Sequence, residues 1–265
     1  MLKDVTLGQY FPGNSIVHRL DPRTKLILVV LFIAGLFQAN GWLGYIVVMA
    51  VTFTAIGIST IPPKSFVRGL KPMIFIIALT AILNLFYTTG TPILPGWPVT
   101  FEGIERAVQM VLRISLLIAG TFLLTYTTSP MELTDGLEKL FSPLNKIKVP
   151  VHELTLMMSM ALRFIPTLIE ETDKIMSAQK ARGADFETGG LIQRAKALLP
   201  VLVPLFVSAF RRADELAVAM ESRCYHGGEG RTRMKQMKLE GRDYIALLIG
   251  AVFLAAMIVM KKFGL

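Results

Sequence analysis

The sequence is poor in the residues that build metal and redox sites. Its one cysteine, Cys224, excludes an internal disulfide. The three histidines, His18, His152 and His226, are scattered and show no metal-ligand spacing with that cysteine. A Gly-x-x-x-x-Gly-Lys-Ser/Thr loop is also missing, so the chain lacks the phosphate cradle needed to hydrolyse ATP itself. We therefore expect no metal and no cofactor bound by this chain.

Charged residues are scarce as well. They make up 18% of the 265 residues, against 53% hydrophobic residues, and the mean hydropathy is +0.55. This composition is too apolar for an ordinary soluble domain and indicates that lipid surrounds much of the chain. The net charge of +9 is typical of a membrane protein that obeys the positive-inside rule, so we expect no nucleic-acid partner.

Five apolar stretches approach the length of about 20 residues that a membrane-crossing helix needs. They cover residues 26–37, 42–61, 72–87, 107–128 and 244–260. The first is short, but Lys25 and Trp42 at its ends can extend it to the interface, and no cleavage pattern follows it. The sequence therefore predicts an all-α integral membrane protein with about five transmembrane helices.

Lysine and arginine are distributed unevenly between the connections. They are concentrated before the first stretch and between the second and third, whereas residues 38–41 and 88–105 contain none. The N-terminus is therefore expected in the cytoplasm, although Lys261 and Lys262 then lie outside, against the rule. We divide the chain into an N-terminal membrane domain of four spans (1–128), a cytoplasmic region (129–243) and a C-terminal transmembrane helix (244–265).

The region 129–243 holds 17 of the 28 basic and 15 of the 19 acidic residues. Its periodicity predicts three helices, a short one over 132–141 and two long ones over about 151–182 and 191–223. Both long helices contain apolar runs that a hydropathy window would count as spans. Because these runs are shorter than about 17 residues and are interrupted by Arg163 or by Pro200 and Pro204, we expect a cytoplasmic helical hairpin.

A short pattern recurs where the two long helices end. Ala181-Arg182-Gly183 and Ser222-Arg223-Cys224 each place an arginine between small residues, 41 residues apart. One interpretation is ordinary helix termination, since arginine favours a helix C-terminus and glycine commonly follows it. The other is a pair of contacts with two similar partners, because a guanidinium group can reach into an acidic or carbonyl-lined groove.

Several separated motifs together resemble the transmembrane (T) component family of energy-coupling factor vitamin transporters, the CbiQ/EcfT family, over the whole chain. They are Val17-His18-Arg19-Leu20-Asp21-Pro22-Arg23-Thr24-Lys25, Ala161-Leu162-Arg163-Phe164-Ile165-Pro166, the stretch 179–186, Ala219-Met220-Glu221-Ser222-Arg223 and Gly230-Arg231-Thr232-Arg233. Cys224 departs from the family pattern, in which glycine is frequent, and so leaves the capping geometry at that position open.

The resemblance implies that the three helices of 129–243 are coupling helices in a bacterial inner-membrane importer. Two ATP-binding cassette subunits, of EcfA and EcfA′ type, would bind the ATP and Mg²⁺. They would be docked by the two arginine motifs, Ala181-Arg182-Gly183 and Ser222-Arg223-Cys224. The membrane helices, which lie in membrane lipid, and the hairpin would together hold an exchangeable substrate-binding (S) component. For that contact we expect the adaptable apolar side chains Met157, Met158, Met160, Leu202 and Leu205.

Two arginines lie on the fourth predicted helix, Arg106 just before its apolar stretch and Arg113 within it. Arg106 can reach the outer interface, whereas Arg113 is expected to pair within the bundle. An intramembrane enzyme such as a protease is a poorer interpretation, because the five stretches contain no His, Asp, Glu or Cys. A cobalt- or nickel-specific permease subunit of the same family is the other alternative. By the same resemblance, the choice of vitamin or metal would lie on the separate substrate binder.

Overall fold

The structure is a computed structural model that describes residues 10–92, 99–186, 188, 190–227 and 237–263. Over these residues the chain forms nine α-helices and no strand beyond one isolated bridge. In chain order they are α1 (Pro22–Gln38), α2 (Trp42–Ser59), α3 (Pro63–Leu70), α4 (Ile74–Tyr87), α5 (Phe101–Thr127), α6 (Pro130–Phe141), α7 (Val151–Ala181), α8 (Leu191–Glu221) and α9 (Gly241–Lys262). The predicted all-α fold is confirmed.

Five stretches of the described chain are long and apolar enough to cross a membrane. They are Trp42–Ser59, Pro63–Tyr87, Phe101–Thr127, Ile192–Glu221 and Gly241–Lys262. The number agrees with the prediction, but the set differs. By length and composition alone it includes most of α8, which we expected to be cytoplasmic, and it leaves out the 17-residue α1.

Two differences from the predicted boundaries have local causes. The predicted loop between the second and third spans contains α3, whose Pro63 stands at the first helical position, where proline is tolerated. Helix α5 begins six residues before the predicted start because Thr100 caps it, accepting a hydrogen bond from the Gly103 N–H at 3.1 Å. The longer α5 therefore includes Arg106 and the two acidic residues before it.

The described part of the chain divides into two compact units, one formed by residues 10–136 with 237–263 and the other by the described residues between 137 and 227. The first, here called the span unit, contains α1–α5 and α9. Helix α5 is its centre, since α1, α2, α3 and α4 all pack against it. Its main core cluster consists of Leu36, Ala39, Tyr45, Val48, Leu116, Phe253 and Met257.

Glycines allow α1 and α9 to approach closely. A Cβ atom on Gly35 would lie 2.5 Å from the Phe253 ring, and one on Gly250 would lie 2.6 Å from the Leu28 side chain. Small residues at helix contacts are typical of helix packing in membranes, where van der Waals contact drives association. The C-terminal helix is therefore an integral part of the span unit.

The second unit, here called the hairpin unit, contains α7 and α8, which pack against each other. Each has 31 residues and is therefore about 46 Å long. Both contain internal prolines, Pro166 in α7 and Pro200 and Pro204 in α8. Each proline removes one backbone hydrogen bond, so these are the deformable points of two otherwise regular rods.

Candidate functional site

The end of α7, here called tip 1, is a complete Schellman motif. The Gly183 N–H donates to the Lys180 carbonyl at 3.0 Å, and the Ala184 N–H donates to the Gln179 carbonyl at 3.0 Å. Gly183 has a φ of +89°, the left-handed conformation that this motif requires. Arg182 is the residue immediately before the reversal, so its side chain leaves the helix at its very end.

The end of α8, here called tip 2, has the same pair of backbone hydrogen bonds. The Cys224 N–H donates to the Glu221 carbonyl at 2.9 Å, and the Tyr225 N–H donates to the Met220 carbonyl at 3.0 Å. Cys224 has a φ of +56°, so a non-glycine residue adopts the left-handed conformation here. Arg223 therefore occupies the same position in tip 2 as Arg182 does in tip 1.

All three residues of each tip pattern, Ala181, Arg182 and Gly183 in one and Ser222, Arg223 and Cys224 in the other, are exposed. Neither guanidinium group has a hydrogen-bond or ion-pair partner among the residues that the structure describes. Arg212, farther back on α8, differs in this respect, because it forms an ion pair with Glu171. The two tip arginines are thus available for contacts outside the chain.

Two polar contacts fix how α7 and α8 pass each other. Gln179 Nε2 donates to the Pro200 carbonyl at 3.3 Å, and Arg212 Nη2 lies 3.3 Å from Glu171 Oε2. The helices therefore run in opposite directions past the crossing. Arg182 lies three residues beyond Gln179, whereas Arg223 lies 23 residues beyond Pro200, about 34 Å along α8. The tips are two separate sites rather than one cluster.

The five residues expected at the substrate-binder contact do not form one surface. Met157, Met158 and Leu202 are exposed, while Met160 and Leu205 are half-buried. Met160 precedes Gln179 by 19 residues, about 28 Å along α7, whereas Leu202 follows the crossing by two residues. The methionines and the leucines therefore occupy two distinct patches of the hairpin unit.

Arg113 lies between the first two helices of the span unit. Its Nη2 donates to the Ala39 carbonyl at 2.9 Å, and its guanidinium carbon lies 5.9 Å from the ring centroids of both Phe37 and Tyr45. A cation at this distance from an aromatic face is attracted by the ring quadrupole. Arg113 thus connects α5 to the turn between α1 and α2. Arg106 is exposed.

The motif at residues 17–25 forms a buried polar junction at the start of α1. Asp21 caps α1 by accepting from the Arg23 N–H at 2.9 Å, and its own N–H donates to Asp243 Oδ1 at 2.8 Å. Burial acts to raise the pKa of Asp21, but the hydrogen bonds and charge of Arg23 hold it below its ordinary value. Asp243 also accepts a hydrogen bond from the backbone N–H of Glu240, the residue that caps α9. One carboxylate thus joins the starts of two helices.

Lys25 completes this junction from the first turn of α1. Its ammonium group is buried and donates to the carbonyls of His18 at 3.1 Å and Thr127 at 2.8 Å, and to the Thr128 hydroxyl at 3.3 Å. The end of α5 is therefore tied to the segment before α1. The role of Lys25 is structural, as a donor to three oxygens, in addition to its contribution to the charge bias.

Sequence reasoning missed Asp243 and Gln179. Asp243 could have been found, because Glu240-x-x-Asp243 before an apolar run is a capping-box pattern. Gln179 had no such signal, since its partner lies 21 residues away on another helix. The Gly230–Arg233 motif lies outside the described residues.

Comparison with known proteins identifies the family. The family model described as CbiQ, cobalt transport protein, matches residues 13–234. The chain is 54% identical over 265 residues to the energy-coupling factor transporter transmembrane protein EcfT of Clostridium kluyveri, covering 98% of both chains. It is 51% identical over 264 residues to EcfT of Ruminiclostridium cellulolyticum, covering 98% of both chains. It is 48% identical over 261 residues to EcfT of Bacillus subtilis, covering 97% of this chain and 98% of the relative. The chain therefore belongs to the CbiQ family, among the energy-coupling factor transporter transmembrane proteins, which are non-catalytic, multi-pass subunits of bacterial transporters.

Proposed function

We propose that this chain is the force-transmitting subunit of a vitamin or micronutrient importer. In this proposal Arg182 and Arg223 dock into two partner ATPases, of EcfA and EcfA′ type, which bind and hydrolyse ATP with Mg²⁺. The observation that carries the proposal is the repetition of one exposed geometry at both tips. Ordinary helix termination explains each Schellman motif, but it does not explain why an unpartnered arginine stands at the same position in both.

The chemistry of the tips suits an acidic or carbonyl-lined groove. A guanidinium group presents a fork of donors that matches carboxylate geometry, and the small residues on either side leave it sterically accessible. Because the backbone reverses directly after each arginine, the side chain is at the leading end of the helix. A groove on the partner can then enclose the tip without meeting a continuing chain.

The hairpin unit is the element that we expect to carry the motion. Nucleotide-driven closure of the two ATPases would displace the tips, and two rods of about 46 Å would pass that displacement to the exchangeable S component. We assign Met157, Met158 and Met160 to one contact patch and Leu202 and Leu205 to another. Exposed methionines can re-pack against different partners, which suits a subunit shared among several substrate binders.

In the same proposal the N-terminus and residues 129–243 are cytoplasmic, with 1–128 and 244–265 in the inner membrane. The bias of lysine and arginine between the connections supports this orientation. Helix α8 meets the length and composition of a span, yet its apolar centre is bounded on both sides by basic residues, at Arg194 and Lys196 and at Arg211 and Arg212. That pattern also suits a helix lying at the membrane surface.

Charge reversal at the tips tests the docking. In the complex purified with its ATPases and an S component, Arg182→Glu and Arg223→Glu should each reduce copurification of one ATPase and lower substrate uptake at least about tenfold, since an acidic groove then repels the tip. Arg211→Glu is the matched control, because Arg211 is an exposed arginine of α8 away from both tips. Intact copurification and uptake in both tip variants would refute the proposal.

A second candidate is a subunit of a cobalt importer. It is favoured by the matching family model, which is described as cobalt transport protein. Identification by mass of every chain that copurifies in mild detergent decides between the two, because the substrate is chosen by the copurifying binder.

A further inference from the structure

Two prolines leave a gap in the hydrogen bonding of α8. Pro204 has no N–H, so the Pro200 carbonyl, one turn earlier, lacks the α-helical donor that residue 204 would otherwise supply. Pro200 in turn cannot donate to the carbonyl of Lys196. Helix α8 is therefore easiest to bend between residues 196 and 204.

The missing donor comes from the other helix. Gln179 Nε2 of α7 donates to the Pro200 carbonyl at 3.3 Å. The same residue belongs to tip 1 through its backbone, because its carbonyl accepts the Ala184 N–H of the Schellman motif. Gln179 thus connects the geometry that presents Arg182, three residues away, to the proline-interrupted turn of α8.

We propose that Gln179 is a positioning residue that ties tip 1 to the proline turn of α8. A displacement of Arg182 then reaches α8 at its most deformable point, instead of being lost in independent bending of the two helices. This inference rests on the proposed function, in that the ATPases move the tips. It concerns the path inside the hairpin unit rather than the docking itself.

The ion pair between Arg212 and Glu171 makes a second polar contact between the helices. Along α8 it lies 12 residues, about 18 Å, beyond the contact between Gln179 and Pro200. Along α7 it lies eight residues, about 12 Å, before that contact. With both contacts in place, the crossing is fixed at two points. Loss of the Gln179 contact leaves the half nearest tip 1 free to move.

The structural test uses the full chain in lipid nanodiscs. Spin labels on the native Cys224 and on Ser177→Cys, an exposed position near tip 1, report the distance between the two ends of the hairpin unit. Gln179→Leu should broaden this distance distribution. In a Pro204→Ala background the backbone regains an N–H that can donate to the Pro200 carbonyl, so α8 is harder to bend there and adding Gln179→Leu should broaden the distribution clearly less. Equal broadening in both backgrounds, or none in either, would overturn the proposal.

The functional test measures substrate uptake per ATP hydrolysed in proteoliposomes that contain the whole complex. Gln179→Leu should lower this ratio about two- to fivefold, the range expected for one partly solvated hydrogen bond, without loss of either ATPase. Gln193→Leu, the same change at an exposed glutamine of α8, should leave it unchanged. If Gln179→Leu leaves the uptake per ATP hydrolysed unchanged, the inference is wrong. A different outcome is that the charge-reversed tips keep their ATPases while the spin-label result is as expected. The proposed docking through Arg182 and Arg223 is then wrong, and the proposed contact between Gln179 and α8 is retained.

Discussion

The two tips of the hairpin unit share one backbone geometry but differ in the residue that makes it possible. Tip 1 uses Gly183 at φ +89°, and tip 2 uses Cys224 at φ +56°. The left-handed conformation costs an L-residue about 1–2 kcal/mol and costs glycine almost nothing. The hydrogen bonds are nevertheless as short at tip 2 as at tip 1. Tip 2 therefore holds its shape against a local cost that tip 1 does not bear.

The largest expected effect comes from removing the geometry at one tip only. Gly183→Pro deletes the N–H that bonds the Lys180 carbonyl, and proline cannot adopt a φ of +89°. The last turn of α7 should open, with a local cost of about 3 kcal/mol or more. Amide hydrogen exchange of Ala184 should accelerate at least about a hundredfold, with loss of one ATPase from the purified complex.

Gly190→Pro provides the control for this variant. Gly190 has a φ of −72°, close to the value that proline requires, and it stands just before α8. In Gly190→Pro we expect the Ala184 amide to exchange at its normal rate and both ATPases to copurify normally. If Gly183→Pro accelerates Ala184 exchange and the complex still keeps both ATPases, the Schellman geometry at tip 1 has no part in docking.

Exchanging the two reversal residues should shift the stability of the tips in opposite directions. Gly183→Cys should destabilise tip 1 and Cys224→Gly should stabilise tip 2, each by about 1 kcal/mol. A Cβ atom on Gly183 meets no atom within 4 Å, so the backbone alone determines the cost. Exchange rates of the Ala184 and Tyr225 amides, which close the two motifs, should change about fivefold, upward and downward respectively. Changes of the same sign at both tips would contradict the comparison.

The two tips also differ in how far the sequence predicts them. The start of α7 was predicted from Pro150 and its end from Gly183, because proline and glycine mark helix boundaries locally. The end of α8 was predicted from the recurrence of the arginine pattern. The left-handed Cys224 had no local signal of its own, since cysteine rarely adopts that conformation. It is visible in the sequence only by analogy with the first tip.

Contacts between distant segments were beyond sequence reasoning for a physical reason. The Arg113 side chain donates to a carbonyl 74 residues away, and Asp243 binds an N–H 222 residues away. Residue type predicts that a buried charge needs a partner, but only the packing of helices selects which one. The same limit explains why the sequence did not show that the three methionines and the two leucines lie in two separate patches.

The smallest expected effect concerns the residue before each arginine. Tip 1 has Ala181 there, and tip 2 has Ser222, whose hydroxyl donates to the Ala219 carbonyl at 3.1 Å. This bond lies within one exposed helical turn, where water can replace it, so Ser222→Ala should change tip stability by less than about 0.5 kcal/mol. Tyr225 amide exchange and ATPase copurification should both match the unmodified chain. A marked loss of ATPase with unchanged exchange would mean that the hydroxyl itself contacts the partner, and the two tips would then differ in chemistry as well as in backbone cost.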